Sequence, residues 1–235
     1  MISTGIILGS GLHRLTEYLE KPKLIFKDFN GIHTKRIFEG LLFDREVILF
    51  EGRNHIYENP YNPEVYFSVK KAVELGLKHL VITNAAGGLN LNFRVADLML
   101  ISSHINFYSK FLQTKVFKVK YQRDYLQKLS KEALKEGIKL HTGTYLASPG
   151  PFYETSKEIE FFKKIGADAV GMSTIPELFT ASKQNINVTG ISCITNLLKP
   201  DLKGKISHDE VIEAGNLAFN NFSKIIKIIL RQNDN

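Results

Sequence analysis

The stretch Thr83-Asn84-Ala85-Ala86-Gly87-Gly88-Leu89-Asn90 limits what this chain can become. It follows His79-Leu80-Val81-Ile82-Thr83, a short apolar run with the length of a buried strand. It then passes into small residues and a glycine pair. A strand ending in Ala-Ala-Gly-Gly exposes backbone N–H groups with no side chain to block approach. Such a turn suits an anion or a flat ring pressed against the main chain. A tight turn that merely needs two glycines reads the same residues equally well.

Other apolar runs end in the same manner. Ile6-Ile7-Leu8 leads straight into Gly9-Ser10-Gly11, a plausible phosphate cradle. It lacks the Lys of a P-loop and the third Gly of a dinucleotide fingerprint. Strands are expected near residues 35–41 and 46–50. The second ends in Glu51-Gly52-Arg53-Asn54-His55-Ile56-Tyr57-Glu58. There Arg53 offers a rigid fork for phosphate oxygens, and His55 and Tyr57 follow at alternating positions. Asn62-Pro63 opens a helix that Gly76 closes. A strand from Asp97 to Ser102 leads to His104, which reads better as structural than as catalytic. Residues 107–120 have no clear period. A helix over 121–136 stops at Gly137.

The strand Gly143–Ser148 ends in Pro149-Gly150-Pro151, followed by Phe152-Tyr153-Glu154-Thr155. Tyr145 within it suits core and pocket equally. Thr155 and Glu158 have capping-box spacing, which leaves Glu154 in the loop at that helix's start. Residues 166–171 read as a helix stop plus strand, ending in Met172-Ser173-Thr174, with a helix from about Pro176 to Lys183. The strand Asn187–Thr195 ends at Asn196. Ser207 and Glu210 form a second capping box for a long final helix, with Val211, Ala214, Ala218, Phe222, Ile225 and Ile229 as its apolar stripe. Nothing resembling a linker or a repeat divides the chain, so one domain over residues 1–235 is expected.

Thus Ser10, Arg53, Ala85–Gly88, Tyr153–Glu154, Met172–Ser173 and Asn196 each follow an apolar run. Sites in α/β sheets assemble at strand carboxyl ends, so these residues point to one composite site. Composition weighs against several alternatives. The net charge is +7, but the lysines are spread along the chain and no nucleic-acid motif accompanies them, so no nucleic-acid partner is expected. The single cysteine, Cys193, sits in an apolar run and reads as a buried thiol. It rules out an internal disulfide framework and fits a reducing compartment. No signal or membrane segment is read from the first residues, so a cytoplasmic protein is expected.

These blocks, in this order, resemble the trimeric purine nucleoside phosphorylases, a family that includes methylthioadenosine phosphorylase. The matching pieces include Leu-Gly-Ser-Gly-Leu (8–12), Gly-Arg-Asn-His-Ile-Tyr-Glu (52–58), Thr83–Asn90 and Gly-Pro-Phe-Tyr-Glu-Thr (150–155). They continue with Gly-Ala-Asp-Ala-Val-Gly-Met-Ser-Thr-Ile-Pro-Glu (166–177), Ile-Thr-Asn (194–196) and His-Asp-Glu-Val (208–211). Residues 83–90 and 166–177 are highly specific; Gly-Ser-Gly is not.

The resemblance implies an α/β fold with a central mixed, twisted sheet flanked by helices. It also implies a homotrimer and roles by position. Ser10, His33, Arg53, the Ala85 backbone and Ser173 would hold phosphate. Tyr57 and Met172 would meet the ribose, and His208 its 5′-hydroxyl. Tyr153 would stack on the purine. Glu154 and Asn196 would grip the base and, with His55, form the catalytic set. Phe117 is the candidate for an aromatic residue that reaches a neighbouring subunit, although the segment carrying it is shorter here than in the family.

The implied reaction is a pentosyl transfer: phosphate replaces the purine at ribose C1′, yielding free base and (deoxy)ribose 1-phosphate for purine salvage. Phosphate is itself the nucleophile and sits beside the cationic sugar, so no metal or organic cofactor is expected. Asn196 can accept from N7–H and donate to O6 as charge develops on the departing base. Glu154 can accept from N1–H. Inosine and guanosine are therefore the expected substrates. Methylthioadenosine phosphorolysis is the alternative chemistry, and a non-catalytic purine or nucleic-acid binder the alternative class.

Overall fold

Strands form wherever β-branched and leucine-rich runs can be covered on both faces, and helices supply the cover. The computed structural model describes residues 2–29, 34–59, 63–108, 119, 121–199 and 208–232, with the side chains of Pro63 and His208 left aside. Nine strands make one mixed sheet. They are β1 (Thr4–Ile7), β2 (Glu20–Asp28), β3 (Lys35–Leu42), β4 (Arg45–Glu51), β5 (His79–Gly88), β6 (Leu98–Asn106), β7 (Leu140–Ala147), β8 (Ala169–Gly171) and β9 (Asn187–Leu197). Helices are α1 (Phe67–Glu74), α2 (Arg123–Lys135), α3 (Ser156–Lys164), α4 (Ile175–Lys183) and α5 (His208–Gln232).

The strand order is β2-β3-β4-β1-β5-β8-β7-β6-β9, and β9 returns to pair with β5. Five strands thereby close into a barrel, and four extend from it as an open sheet. β5 belongs to both, pairing in parallel with β1 and β9 and antiparallel with β8. Side-chain alternation sorts most of the core into two layers, and a third, smaller cluster packs Leu146 and Val170 against Ile159 and Phe162 of α3. On one face Ile6, Leu8, Val81 and Ile191 pack against Leu129 of α2 and Phe222, Ile225 and Ile229 of α5. On the other, Ile7, Phe50, Leu80 and Ile82 pack against Val69 of α1 and Leu178 of α4. No helix among the described residues is long and apolar enough to cross a membrane.

Three expectations change. β5 does not end at Thr83; the Ala-Ala-Gly-Gly stretch is itself strand, paired with β8 and β9. The glycines there answer a packing need: a Cβ on Gly87 would lie 2.7 Å from the Leu198 side chain, and one on Gly88 2.8 Å from that of Ile194. β2, mostly exposed and rich in lysine, was not foreseen because its pattern lacks apolar alternation. The helix opened by Asn62-Pro63 begins with a 3-10 turn at Pro63–Tyr66 before α1; Asn62 lies outside the described residues. The Thr155–Glu158 capping box is present in both directions, with Thr155 N donating to Glu158 Oε2 at 2.8 Å. Ser207, the expected cap of α5, lies outside the described residues.

Candidate active site

A cavity of about 600 Å³ opens at the carboxyl ends of β1, β4, β5 and β9. Ser10, Arg53, His55, Tyr57 and Ala85 line it, as do Tyr153, Glu154, Met172, Ser173 and Asn196. Residues from six separate stretches of sequence therefore face one space. His33 and Phe117 lie outside the described residues. His208 begins α5, its side chain likewise outside them, and Val211 of the same helix lines the cavity. His104 is elsewhere, its Nδ1 2.8 Å from the Tyr121 hydroxyl.

One end of the cavity is built around Thr83. Its hydroxyl donates to the Ile7 carbonyl and accepts from Gly9 N–H, both at 2.9 Å. This ties the Gly-Ser-Gly loop to β5 so closely that a Cβ on Gly9 would stand 2.6 Å from Asn84 Cα. The Thr83 carbonyl accepts from Arg53 Nη2 at 2.7 Å, and Arg53 Nη1 lies 3.3 Å from Glu177 Oε1. Both charged groups are buried. An ionic partner and a carbonyl thus fix the guanidinium where it borders the cavity. His55 is held by Glu58, which accepts from its backbone N–H at 2.7 Å and lies 3.2 Å from its Nδ1. Its ring stacks on Tyr57, with centroids 5.0 Å apart. Ser10, Arg53, His55 and Ser173 all line the cavity, a set of polar donors that suits an oxyanion.

Met172 and Tyr57 line the cavity as well. Gly150 has φ +68°, and a Cβ there would meet Met172 Sδ at 2.6 Å and Tyr57 Cδ1 at 2.9 Å. Met172 and Tyr57 therefore close on one another across a backbone that only glycine permits. Burial, then Glu58, raises the Tyr57 pKa above its usual range and keeps the phenol protonated as a donor.

Glu154 and Asn196 line the same cavity. Burial raises the Glu154 pKa above that of an ordinary carboxyl, although a backbone hydrogen bond opposes this. Asn196 Oδ1 accepts from the Thr195 hydroxyl at 3.1 Å, which orients the amide and leaves its Nδ2 over Gly87. Tyr153 is 52% exposed at the rim, open to a flat ligand laid against it.

Several lining residues escaped the sequence reading. Arg36 and Glu51 face each other across β3 and β4 and form an ion pair at 2.8 Å. His13 and Thr34 line the cavity too. Asn84 also lines the cavity, while Glu177 and Thr83 lie behind it and hold Arg53. Their one signal was polarity inside apolar strand or helix patterns. Tyr145 proves to be core: fully buried, it donates to the Ser173 carbonyl at 3.2 Å.

A mixed sheet closed partly into a barrel, with Ser10, Arg53, Ser173, Glu154 and Asn196 lining one cavity at its strand ends, suits a phosphorylase that acts on nucleosides. The profile of the phosphorylase superfamily matches residues 3–231, and the chain belongs to that family. It is 37% identical over 250 residues to purine nucleoside phosphorylase 1 of Bacillus subtilis (strain 168), covering 97% of this chain and 91% of that protein. It is also 37% identical over 253 residues to the Mus musculus purine nucleoside phosphorylase, with 96% and 87% covered. Among solved structures, a Schistosoma purine nucleoside phosphorylase in complex with hypoxanthine superposes with a TM-score of 0.84 at 31% identity, covering 96% of this chain and 90% of that one.

Proposed function

We propose that this chain catalyses phosphate-dependent cleavage of purine nucleosides, with 6-oxopurines preferred. The observation that carries the reading is that Arg53, Ser10 and Ser173 line the same cavity as Glu154 and Asn196. Relatives named purine nucleoside phosphorylase, and structures of such enzymes with inosine and hypoxanthine, support the reaction class.

Phosphate would sit against Ser10, Arg53, His55, Ser173 and the Ala85 backbone, with His33 added from the family resemblance. Its oxygen forms the new bond to C1′ as the C1′–N9 bond breaks. The electron pair goes to the purine. Asn196 meets N7 and O6 of the departing base, and its N–H donation strengthens as negative charge develops there; Glu154 accepts from N1–H and fixes the base in place, and the base takes up a proton from solvent as it leaves. Tyr57, Met172 and His208 would hold the ribose between them, and Tyr153 would cover the base. The nucleophile is the co-substrate, so the chemistry asks for no cofactor.

Assembly as a homotrimer is part of the proposal. Phe107 stacks on Phe161, with ring centroids 6.5 Å apart, and both are exposed. This aromatic surface lies just before the segment carrying Phe117 and suits contact with a second copy, which sedimentation would test. The buried, solitary Cys193 supports a reducing, cytoplasmic setting. The decisive experiment is release of base from inosine, guanosine, adenosine and methylthioadenosine, with and without phosphate. Phosphate-dependent cleavage of inosine and guanosine is expected. Cleavage without phosphate, or a preference for the 6-amino nucleosides, would overturn the reading.

A further inference from the structure

The link between β8 and α4 contains the most strained backbone near the cavity. Thr174 has φ +77° and ψ −47°, a region closed to most residues with a Cβ and costly for a β-branched one. The Ser173 carbonyl accepts from Ile175 N–H at 2.9 Å, so residues 173–175 form a γ-turn of the rare, strained hand. Glycine is the residue expected at its centre, yet threonine stands there.

The surroundings explain what holds it. Thr174 is fully buried, and its hydroxyl accepts from Asn84 Nδ2 at 2.9 Å. Its carbonyl accepts from Leu178 N–H at 2.8 Å and starts α4. The preceding Ser173 carbonyl also accepts from the Tyr145 hydroxyl at 3.2 Å. The turn is therefore pinned from β5 by Asn84, from β7 by Tyr145 and from α4 by the helix. Thr174 does not line the cavity, but Ser173 does, and the two hydroxyls lie 3.3 Å apart.

We propose that Thr174, locked by Asn84, is a positioning residue: it holds a strained turn so that Ser173 faces the anion end of the site. The strain keeps Ser173 from relaxing into the first turn of α4, where its hydroxyl would leave the cavity. This inference rests on the reading of that end as the phosphate site. Glycine would accept the φ but not the lock, whereas serine would keep the hydroxyl that Asn84 grips.

Steady-state kinetics of Thr174→Val, Thr174→Gly, Thr174→Ser and Ser173→Ala, with phosphate and inosine varied separately, test it. Thr174→Val and Thr174→Gly should each raise the KM for phosphate about tenfold, the scale of one lost hydrogen bond, with the KM for inosine unchanged. Thr174→Ser should stay within about twofold of the parent, because the lock survives. Thr174→Gly is free of Cβ strain and keeps the test open if Thr174→Val does not fold. If Ser173→Ala raises the phosphate KM while Thr174→Gly does not, or if Thr174→Gly raises both KM values together, the positioning role is wrong and the phosphate site stands. If Ser173→Ala leaves the phosphate KM unchanged, the site assignment fails and the positioning role fails with it.

Discussion

Arg53→Met separates what the guanidinium does for the fold from what it does for the anion. Arg53 and Glu177 are 7% and 3% exposed, and their charged atoms are 3.3 Å apart. At an effective dielectric of about 20, attraction at that distance is about 5 kcal/mol. Most of this offsets the cost of taking both ions out of water, so the intact pair adds little net stability. Truncating one partner is different. Glu177 would remain buried without its ionic partner, and the Thr83 carbonyl would lose the 2.7 Å bond from Arg53. The expected loss is about 3–5 kcal/mol, a large part of the 5–15 kcal/mol that typically holds a domain together. Arg53→Met should therefore lower the urea midpoint sharply as well as raise the KM for phosphate. The double variant Arg53→Met/Glu177→Gln removes the orphaned charge and should regain most of the stability, while phosphate binding stays impaired. Urea unfolding and phosphate titration on parent, single and double variants measure both effects. A double variant no more stable than the single one would refute the ion-pair argument. Normal phosphate dependence in the double variant would show that Arg53 does not face the anion.

Three further outcomes are expected. Asn196→Asp can accept from a 6-amino group but cannot donate to O6; it should reduce kcat/KM for inosine by at least about 10²-fold and raise that for adenosine relative to the parent, checked by spectrophotometric base release. Burial raises the Glu154 pKa, so its carboxylate is disfavoured in the folded state; stability is greatest below the ordinary glutamate pKa and falls as pH rises through the raised value. Glu154→Gln should accordingly raise the melting temperature at neutral pH while abolishing preference for inosine, and a lowered melting temperature would contradict this. His79, buried and 2.8 Å from the Thr189 hydroxyl, has its pKa lowered by burial from 6.5 to about 4. Its contribution is full above pH 6.5 and lost as pH falls toward 4, amounting to about 2 kcal/mol by pH 5. A His79→Gln variant with the same loss of stability between pH 7 and 5 as the parent would refute it.

The sheet and the helices were readable because buried strands appear as apolar runs and helix ends carry their own chemistry, as at Thr155 and Glu158. The convergence of Ser10, Arg53, Met172, Ser173 and Asn196 followed from their shared place after apolar runs. What could not be read depends on pairing across the fold. Arg36 and Glu51 become partners only when β3 and β4 align, and Glu177 becomes meaningful only once α4 lies beneath Arg53. The Ala-Ala-Gly-Gly stretch read as a turn because glycine usually breaks strands. In the folded chain, Leu198 and Ile194 crowd that strand and leave no room for a Cβ.

Barrel closure also governs how this sheet meets other chains. Among the described strands only β2 has a single neighbour, so it is the sheet's one open border. An unprotected border is a template for sideways growth into aggregates. β2 carries Lys21, Lys23 and Lys27, has Pro22 in place of one N–H donor, and pairs with β3 through two breaks in register. A strand added there would have to desolvate those ammonium groups against an irregular, donor-poor rim. Sideways polymerisation is thus disfavoured, and copies of the chain are left to meet through side-chain surfaces rather than by extending the sheet.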